Sequence, residues 1–461
     1  MLLNFSAENF KSIRSRVNLD LTPSASIRSR RFRNHIITND SGAKALRGSI
    51  IYGSNASGKS NLIDAISYAK KLVLNKSPKD VGTKIQQFKY QEPASATTSR
   101  FEFEISNNGY IYAYGFTLDK KTILEEWLYL IKSSGSESLI LERHQSEDSN
   151  DIKIGEWLGL SGDDMKFISI LNKTTPKNHL FLKHGIKQIT ENNGGTDKLS
   201  LHINNVISWF EDKLAIIWPE SKYTSFEKDI TENPDKKQFY IGVLKAFDTG
   251  INDIGITPWD INDLSENLSK KILSYVSRAN QDEVFDFMLS INNSKYNIQL
   301  NDNGEIENIT EIYFISNGKR FCTNELSDGT QRLMDIIPAI YEAMRNDVCF
   351  FIDELDRSLH SLITKAIVDI FFDNSINVKG QLVFTTHETS IMDQEILRRD
   401  ELWLVQKERD LSSVIYPLTE YDIRSDKKIN DAYLSGLFGA VIPYANSMKT
   451  IKDLLWQESN D

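Results

Sequence analysis

Eight residues near the start of the chain have the types and spacing that bind phosphate groups. Residues 53–60, GSNASGKS, match the pattern G-x-x-x-x-G-K-[ST] at every fixed position. The two glycines let the backbone wrap closely around a polyphosphate, with successive N–H groups pointing inward. Lys59 would bring a positive charge to the outer phosphates, and the Ser60 hydroxyl would bind Mg²⁺. The predicted ligand-binding residues are Asn55, Ala56, Ser57, Gly58, Lys59, Ser60 and Asn61.

The sequence on either side of this stretch predicts the elements that a phosphate loop requires. Residues 49–52, SIIY, predict a short apolar strand, and residues 61–66, NLIDAI, have the apolar spacing of a helix start. Such a helix adds free N–H groups and a positive dipole end to the site. The alternative is a glycine- and serine-rich turn that fits the pattern by chance, and the flanking strand and helix favour the phosphate loop.

A second candidate site element is a pair of acids after an apolar run. Residues 348–352, VCFFI, are apolar on both faces, which is typical of a central parallel strand. Asp353 and Glu354 follow at its carboxyl end, where open α/β sheets bind ligands. We expect Asp353 to hold Mg²⁺ through water and Glu354 to polarise the attacking water. Capping of the next helix is the alternative role for the pair.

A third apolar run, residues 381–384, is followed by Thr385, Thr386 and His387. His387 is a candidate for contact with the γ-phosphate or the attacking water, beside a purely structural role. Asp356 follows the acid pair closely and is a candidate for contact across an interface. For His360, capping or packing remains an equal alternative.

Composition and charge limit the classes of protein that fit. The chain has 461 residues and a net charge of −10, which argues against broad nonspecific affinity for nucleic acid. The basic stretch at residues 28–33, RSRRFR, leaves a local contact with nucleic acid or an acidic partner open, beside a solvated loop. No apolar run reaches the ~18–20 residues that span a bilayer, and residues 1–8 lack a signal-peptide pattern. We therefore expect a cytoplasmic protein without membrane contact, with Cys322 and Cys349 as buried free thiols.

The periodicity of the apolar residues predicts an α/β chain in three segments. Residues 1–158 have mostly alternating, strand-like patterns around the phosphate loop and its helix, with a hairpin signal, NNG, at residues 107–109. Residues 159–293 have helical spacing, for example Ile203, Val206, Phe210 and Leu214 on one face. We interpret this segment as a helical insertion. Residues 294–461 return to strands and carry the acid pair.

The order of these motifs resembles the ABC-type ATPase heads of the SMC and overcoming-lysogenization-defect (OLD) families. The matching elements are the phosphate loop, a long insertion, LSDG at residues 326–329, Asp353 with Glu354, then Asp356 and TTH at 385–387. Residues 9–13 (NFKSI), 352–360 (IDELDRSLH) and 433–440 (YLSGLFGA) further resemble compact ATPases of prokaryotic antiphage systems, such as the RloA/AbiL and PARIS types. The implied fold is a P-loop ABC-type ATPase head, with a mixed core sheet, an antiparallel β subdomain and a helical insertion.

The resemblance also implies an assembly and its cofactors, ATP and Mg²⁺. Two heads would form a head-to-tail homodimer, or a higher homo-oligomer, in which Ser327 and Gly329 bind the γ-phosphate held by the other subunit. Asp356 would be the D-loop residue and His387 the switch histidine. Asp328 stands where the family usually has glycine. The Q-loop residue stays open between Gln86, Gln87 and Gln91.

The function implied by the resemblance is a Mg²⁺-dependent ATPase that acts as the sensor or regulatory subunit of an antiphage defence complex. Its partners would be a separate effector, a Toprim-type or other nuclease, and a phage-encoded trigger. OLD nucleases carry a Toprim domain after the ATPase, and the sequence after the strand at Trp403 is too short for one. The alternatives are a DNA repair or recombination ATPase acting directly on DNA, and an ATP-binding scaffold with little turnover.

Overall fold

The structure is a computed structural model of the chain. It describes residues 1–27, 30–74, 82–90, 98–146, 149–184, 198–220, 225–281, 286–291, 294–301, 303–422, 428–441, 448–449 and 452–454. Two compact units are present: the first comprises Met1–Ile216, Ala343–Leu355 and Lys365–Asp461, and the second Ile217–Glu342 and Asp356–Thr364.

The described α-helices are spread along the whole chain. They include α1 Lys59–Val73, α2 Gly162–Thr174, α3 Lys198–Ser208, α4 Ser225–Glu232, α5 Pro234–Ala246, α6 Glu266–Gln281, α7 Asp328–Arg345, α8 Ser361–Phe371 and α9 Ile429–Leu434. Within the part of the chain that the structure describes, none of them is long and apolar enough to cross a membrane.

The strands fall into one mixed and two antiparallel sheets, plus a two-stranded ribbon. Those up to residue 154 are β1 Leu2–Glu8, β2 Val17–Asp20, β3 Ile36–Thr38, β4 Lys44–Leu46, β5 Gly48–Gly53, β6 Ser99–Asn107, β7 Tyr110–Leu118, β8 Ile123–Ile131, β9 Glu137–Gln145 and β10 Asn150–Ile154. The later ones are β11 Leu214–Ile217, β12 Asp253–Trp259, β13 Asp286–Ile291, β14 Ser294–Leu300, β15 Ile306–Ser316, β16 Lys319–Phe321, β17 Cys349–Ile352, β18 Gln381–Thr385, β19 Leu402–Lys407 and β20 Ser413–Pro417.

The mixed sheet is the core that carries the predicted site elements. Its strand order is β11-β17-β18-β5-β19-β20. The pairs β17–β18, β18–β5 and β5–β19 are parallel, and β19–β20 is an antiparallel hairpin. All residues of β5, β17 and β18 are buried, which explains their continuous apolar runs. The phosphate loop, the acid pair and His387 follow β5, β17 and β18, so the three predicted elements leave the same edge of the sheet.

The first unit also contains a seven-stranded antiparallel sheet, ordered β10-β9-β8-β7-β6-β1-β2. The predicted NNG hairpin joins β6 to β7, and both Asn108 (φ 49°) and Gly109 (φ 79°) have the positive φ that a tight two-residue hairpin requires. The buried Gln381 side chain ties this sheet to the mixed sheet. Its amide oxygen accepts from Leu2 N–H (2.6 Å), and its amide nitrogen donates to the Leu2 and Leu46 carbonyls.

The segment predicted as an insertion contains helices α2–α6 and also strands. Leu214, predicted on a helical face, instead begins β11, because a π-helical turn at Trp209–Lys213 ends the helical path after α3. The second unit has an antiparallel sheet with the path β12-β15-β14-β13, and β16 pairs with β15. Its apolar face packs with α6 through Leu268 and Ile272. The segment borders at residues 158 and 293 remain predictions.

The two thiols differ in exposure. Cys349 is buried in β17, as predicted, whereas Cys322 is only half-buried. Neither cysteine is in a disulfide bridge, as predicted.

Candidate functional site

A cleft of about 660 Å³ opens at the edge of the mixed sheet where the phosphate loop leaves β5. It lies within the first unit. It brings together seven predicted phosphate-loop and α1 residues with both predicted catalytic side chains. The lining residues are Lys11, Ser12, Asn55, Ala56, Ser57, Gly58, Lys59, Ser60, Asn61, Gln86, Gln87, Phe88, Lys89, Tyr90, Glu354, His387, Lys407 and Leu411.

The phosphate loop is built by backbone conformations that only a few residue types adopt readily. Gly58 precedes the first residue of α1 with φ 111°, and Ala56 has φ 60°. A side chain at Gly53 would place its Cβ 2.5 Å from the Val405 carbonyl oxygen, so β19 leaves room only for glycine there. Because Gly58 has no side chain, it offers no capping oxygen to the N–H groups that begin α1. The loop therefore presents a helix start suited to an anion.

The Lys59 ammonium group is buried and folds back along the loop. Its Nζ donates to the carbonyl oxygens of Gly53 (2.9 Å) and Ser54 (3.2 Å). These neutral acceptors hold the charge at the cleft, where a phosphate oxygen would make a stronger, charge-assisted bond.

The two acids after β17 are held by one hydroxyl from the neighbouring strand. Thr385 Oγ1 donates to Asp353 Oδ1 (2.6 Å) and accepts from the Glu354 N–H (2.7 Å). Glu354 has φ 49°, a left-handed conformation that is strained for a residue with a Cβ. Asp353 is buried, whereas Glu354 lines the cleft. The two acids therefore differ in exposure, and their metal and water roles remain predictions.

The comparisons with known proteins bear on this arrangement. A family model described as "AAA domain, putative AbiEii toxin, Type IV TA system" matches residues 49–194 and 230–393, which include the phosphate loop, the acid pair and His387. The chain belongs to this AAA-domain family. No curated protein matches it. With the mixed sheet and the antiparallel subdomain, the predicted α/β fold of the P-loop ATPase type is confirmed.

Two solved structures are also similar to this AAA-domain chain. The SMC head domain from Thermotoga maritima is 13% identical, over 92% of this chain and 99% of that one, with a TM-score of 0.37. The structure titled "Crystal structure of the SmcHead bound to the C-winged helix domain of ScpA" is 14% identical, over 90% and 97%, with a TM-score of 0.39.

The predicted signature stretch lies in the second unit of this AAA-domain protein. Exposed Ser327 precedes α7, its Oγ accepts from the Thr330 N–H (3.2 Å), and the two hydroxyls lie 2.9 Å apart. A Cβ at Gly329 would lie 2.7 Å from the carbonyl oxygen of Ser358. Glycine at this position therefore lets the predicted D-loop segment approach the helix start. Asp328 itself is exposed in the first turn of α7.

The two remaining candidate residues of this region make local hydrogen bonds. Asp356 is half-buried and its carbonyl oxygen accepts from the Leu359 N–H (3.0 Å), which closes the turn after the acid pair. His360 Nδ1 accepts from the Leu362 N–H (3.2 Å) at the start of α8, which agrees with the capping alternative.

Of the three Q-loop candidates, Gln86 and Gln87 both line the cleft, whereas Gln91 lies outside the described residues. The turn at residues 9–13 holds this segment: the Lys11 N–H donates to the Gln86 carbonyl oxygen (2.7 Å), and the Phe88 N–H donates to Asn9 Oδ1 (3.1 Å). Gln87 lies between these two hydrogen-bonded residues, Gln86 and Phe88.

Sequence reasoning missed several residues of the site. The sequence patterns predict no role for Thr385, and they do not predict that Lys11, Ser12, Lys407 and Leu411 line the cleft. The signal for Thr385 was present, since a hydroxyl at the end of a buried strand needs a hydrogen-bond partner. In the basic stretch, Arg31 pairs with Glu395 (2.7 Å), and Arg28 lies outside the described residues.

Proposed function

We propose that this AAA-domain protein binds ATP with Mg²⁺ in the cleft of its first unit and hydrolyses it. One observation carries the proposal. The cleft collects the phosphate loop, Glu354 and His387 from three separate strand ends at one edge of the sheet. Phosphoryl transfer needs positioning and charge stabilisation rather than covalent chemistry, and these residues supply both.

The oxygen ligands that follow β5 and β17 suit magnesium. Mg²⁺ is commonly held by one or two carboxylates together with substrate phosphates and water. The exposed Ser60 hydroxyl and the Asp353 carboxylate would hold it, the latter through water. When bound, the ion neutralises charge that develops on the phosphate oxygens.

Each remaining group has a defined task in this proposal. Lys59 would exchange its contacts with the Gly53 and Ser54 carbonyls for a phosphate oxygen, and the loop N–H groups would hold the same chain of phosphates. Glu354 would orient and accept a proton from the attacking water. His387, exposed at the cleft, would contact the γ-phosphate or that water.

We further propose that the working form is a head-to-tail dimer or a higher homo-oligomer with composite sites. Ser327 and the Gly329 N–H at the start of α7 would bind the γ-phosphate held by the other subunit. Asp356 would lie at the same subunit interface. The exposure of Ser327 at the start of α7 supports this role.

The biological role that we propose is control of a separate effector in antiphage defence. The matched family is described as a putative toxin of a type IV toxin–antitoxin system, which fits a regulator of a toxic activity. The effector would be a Toprim-type or other nuclease, released in response to a phage-encoded trigger. The resemblance of residues 9–13, 352–360 and 433–440 to ATPases of antiphage systems supports this role.

A hydrolysis assay with and without nucleic acid tests this proposal against its alternatives. Purified protein should turn over Mg-ATP, and duplex DNA ends should change the rate by less than about twofold. Strong stimulation by DNA ends would favour a DNA repair ATPase. Tight ATP binding without measurable turnover would favour an assembly scaffold.

A further inference from the structure

Three serines from distant parts of the chain meet beside the phosphate loop. Ser413, the first residue of β20, donates through Oγ to the Ser57 carbonyl oxygen (2.5 Å), and its Oγ lies 2.8 Å from Ser12 Oγ. Its backbone N–H donates to the Ser12 carbonyl oxygen (2.7 Å). We call these residues, Ser12, Ser57 and Ser413, the serine joint.

The joint is also tied to the first turn of α1. Asn61 Nδ2 donates to Ser12 Oγ (2.7 Å). A Cβ at Gly58 would lie 2.8 Å from Ser12 Oγ and would overlap with Ser413. The loop, the turn at residues 9–13 and the β19–β20 hairpin therefore pack so closely here that no side chain fits at Gly58.

The bond from Ser413 fixes the direction of one loop donor. No cis peptide bond occurs in the described backbone, and in a trans peptide the C=O and the following N–H point in opposite directions. With the Ser57 carbonyl held toward Ser413, the Gly58 N–H must point away from Ser413. Gly58 lines the cleft, and its N–H is one of the donors of the predicted anion nest.

We propose that Ser413 is a positioning residue for the nucleotide: its hydroxyl locks the peptide between Ser57 and Gly58 so that the Gly58 N–H is aimed at a phosphate before ATP binds. This inference rests on the proposed ATP site. Donors that are already oriented add to affinity because binding does not have to order them. Ser12, in the antiphage-type motif at residues 9–13, contributes to this positioning through its contacts with Ser413.

The hairpin itself provides a matched control. Ser412 is 7% exposed and Ser413 is 5% exposed, and the Ser412 hydroxyl donates to Asp410 Oδ1 over 2.6 Å. Ser412→Ala thus removes a similarly buried hydroxyl with a similarly short hydrogen bond from the adjacent position. It leaves the bond to Ser57 in place.

The test is a titration of the full-length protein with Mg-ATP by calorimetry, together with a thermal melt of each variant without nucleotide. Ser413→Ala should weaken ATP binding by about tenfold, the scale of one lost hydrogen bond. Ser412→Ala should change the ATP affinity by less than about twofold, although it should lower the melting temperature as much as Ser413→Ala does. Ser413→Cys keeps a weak donor, so its ATP affinity should lie between those of Ser413→Ala and the unchanged protein. This variant replaces Ser413→Ala in the test if Ser413→Ala does not fold.

Three results would overturn the inference. The ATP affinity of Ser413→Ala could be unchanged, or that of Ser413→Cys if the alanine variant does not fold. Either result would show that the Ser413 hydroxyl does not position the Gly58 N–H for ATP. Equal losses in Ser413→Ala and Ser412→Ala would assign the effect to hairpin stability. Absence of ATP binding by the unchanged protein would instead remove the proposed function, and the role of Ser413 with it.

Discussion

Thr385 and Asp353 are joined by a 2.6 Å hydrogen bond in which the threonine hydroxyl donates to the buried carboxylate. The same hydroxyl accepts from the Glu354 backbone N–H. One side chain therefore orients the acid proposed for the metal and holds the strained backbone of the acid proposed for the water. Hydrolysis should depend on this hydroxyl more than nucleotide binding does.

Replacing Thr385 tests that dependence. Thr385→Val keeps the size of the side chain and removes the hydroxyl, so we expect Mg-ATP hydrolysis to fall at least ~10-fold, since hydrogen bonds to charged groups contribute about 1.5–3 kcal/mol. ATP affinity should stay within about threefold. Thr385→Ser, which keeps both bonds, should hydrolyse ATP nearly normally. Steady-state rates and calorimetric titration measure both effects, and a Thr385→Val enzyme at full rate would refute the role of the hydroxyl.

Lys59 carries the charge that we expect the phosphates to meet. Lys59→Ala removes it from a buried position beside the loop carbonyls. We expect Mg-ATP binding to drop below detection at micromolar protein and hydrolysis to disappear. Calorimetric titration measures the binding. An unchanged dissociation constant would show that nucleotide does not bind in this cleft.

Ser327 separates a composite site from a simple helix cap. Ser327→Arg puts a long cation where we expect the other subunit's γ-phosphate, so the variant should bind ATP through its own loop and lose hydrolysis. Mixed with Lys59→Ala, it should regain activity, because one loop then faces one intact signature stretch. A helix cap alone predicts ~1 kcal/mol of lost stability and no recovery on mixing. Hydrolysis rates of both variants and of their mixture decide between the two.

The proposed effector predicts a stable complex with another protein. Co-expression with the product of a neighbouring gene should yield a complex that survives gel filtration, whereas the chain alone should cut neither DNA nor RNA. Lys59→Ala is the control, because a nuclease site that belongs to the chain and lies outside the ATP cleft would not depend on this residue. Metal-dependent cleavage by the chain alone, retained in Lys59→Ala, would contradict a separate effector.

Local patterns predicted the central residues of the site because each pattern consists of contiguous residues. Strands β5, β17 and β18 are buried on both faces and appear as unbroken apolar runs, and the glycine–lysine pattern marks the loop between β5 and α1. The acids follow β17 directly, so their place at the sheet edge follows from the parallel pairing.

The contacts that position the site could not be predicted in the same way. Ser413 meets Ser57 and Ser12 only after the β19–β20 hairpin has packed beside β5, and nothing near residue 413 marks that contact. Likewise, β12 and β11 lie in a segment with helical spacing, where strand pairing prevailed over local periodicity. Long-range packing decided these features.

Glu354 offers the most direct test of the central claim, that this cleft hydrolyses ATP. Mg-ATP hydrolysis and Mg-ATP binding should be measured side by side for the unchanged protein and for Glu354→Gln, which keeps the shape of the side chain and removes its basicity. We predict that Glu354→Gln binds Mg-ATP with unchanged affinity and hydrolyses it at least ~10²-fold more slowly, the scale of a lost general base. Hydrolysis by Glu354→Gln at the rate of the unchanged protein would contradict the account.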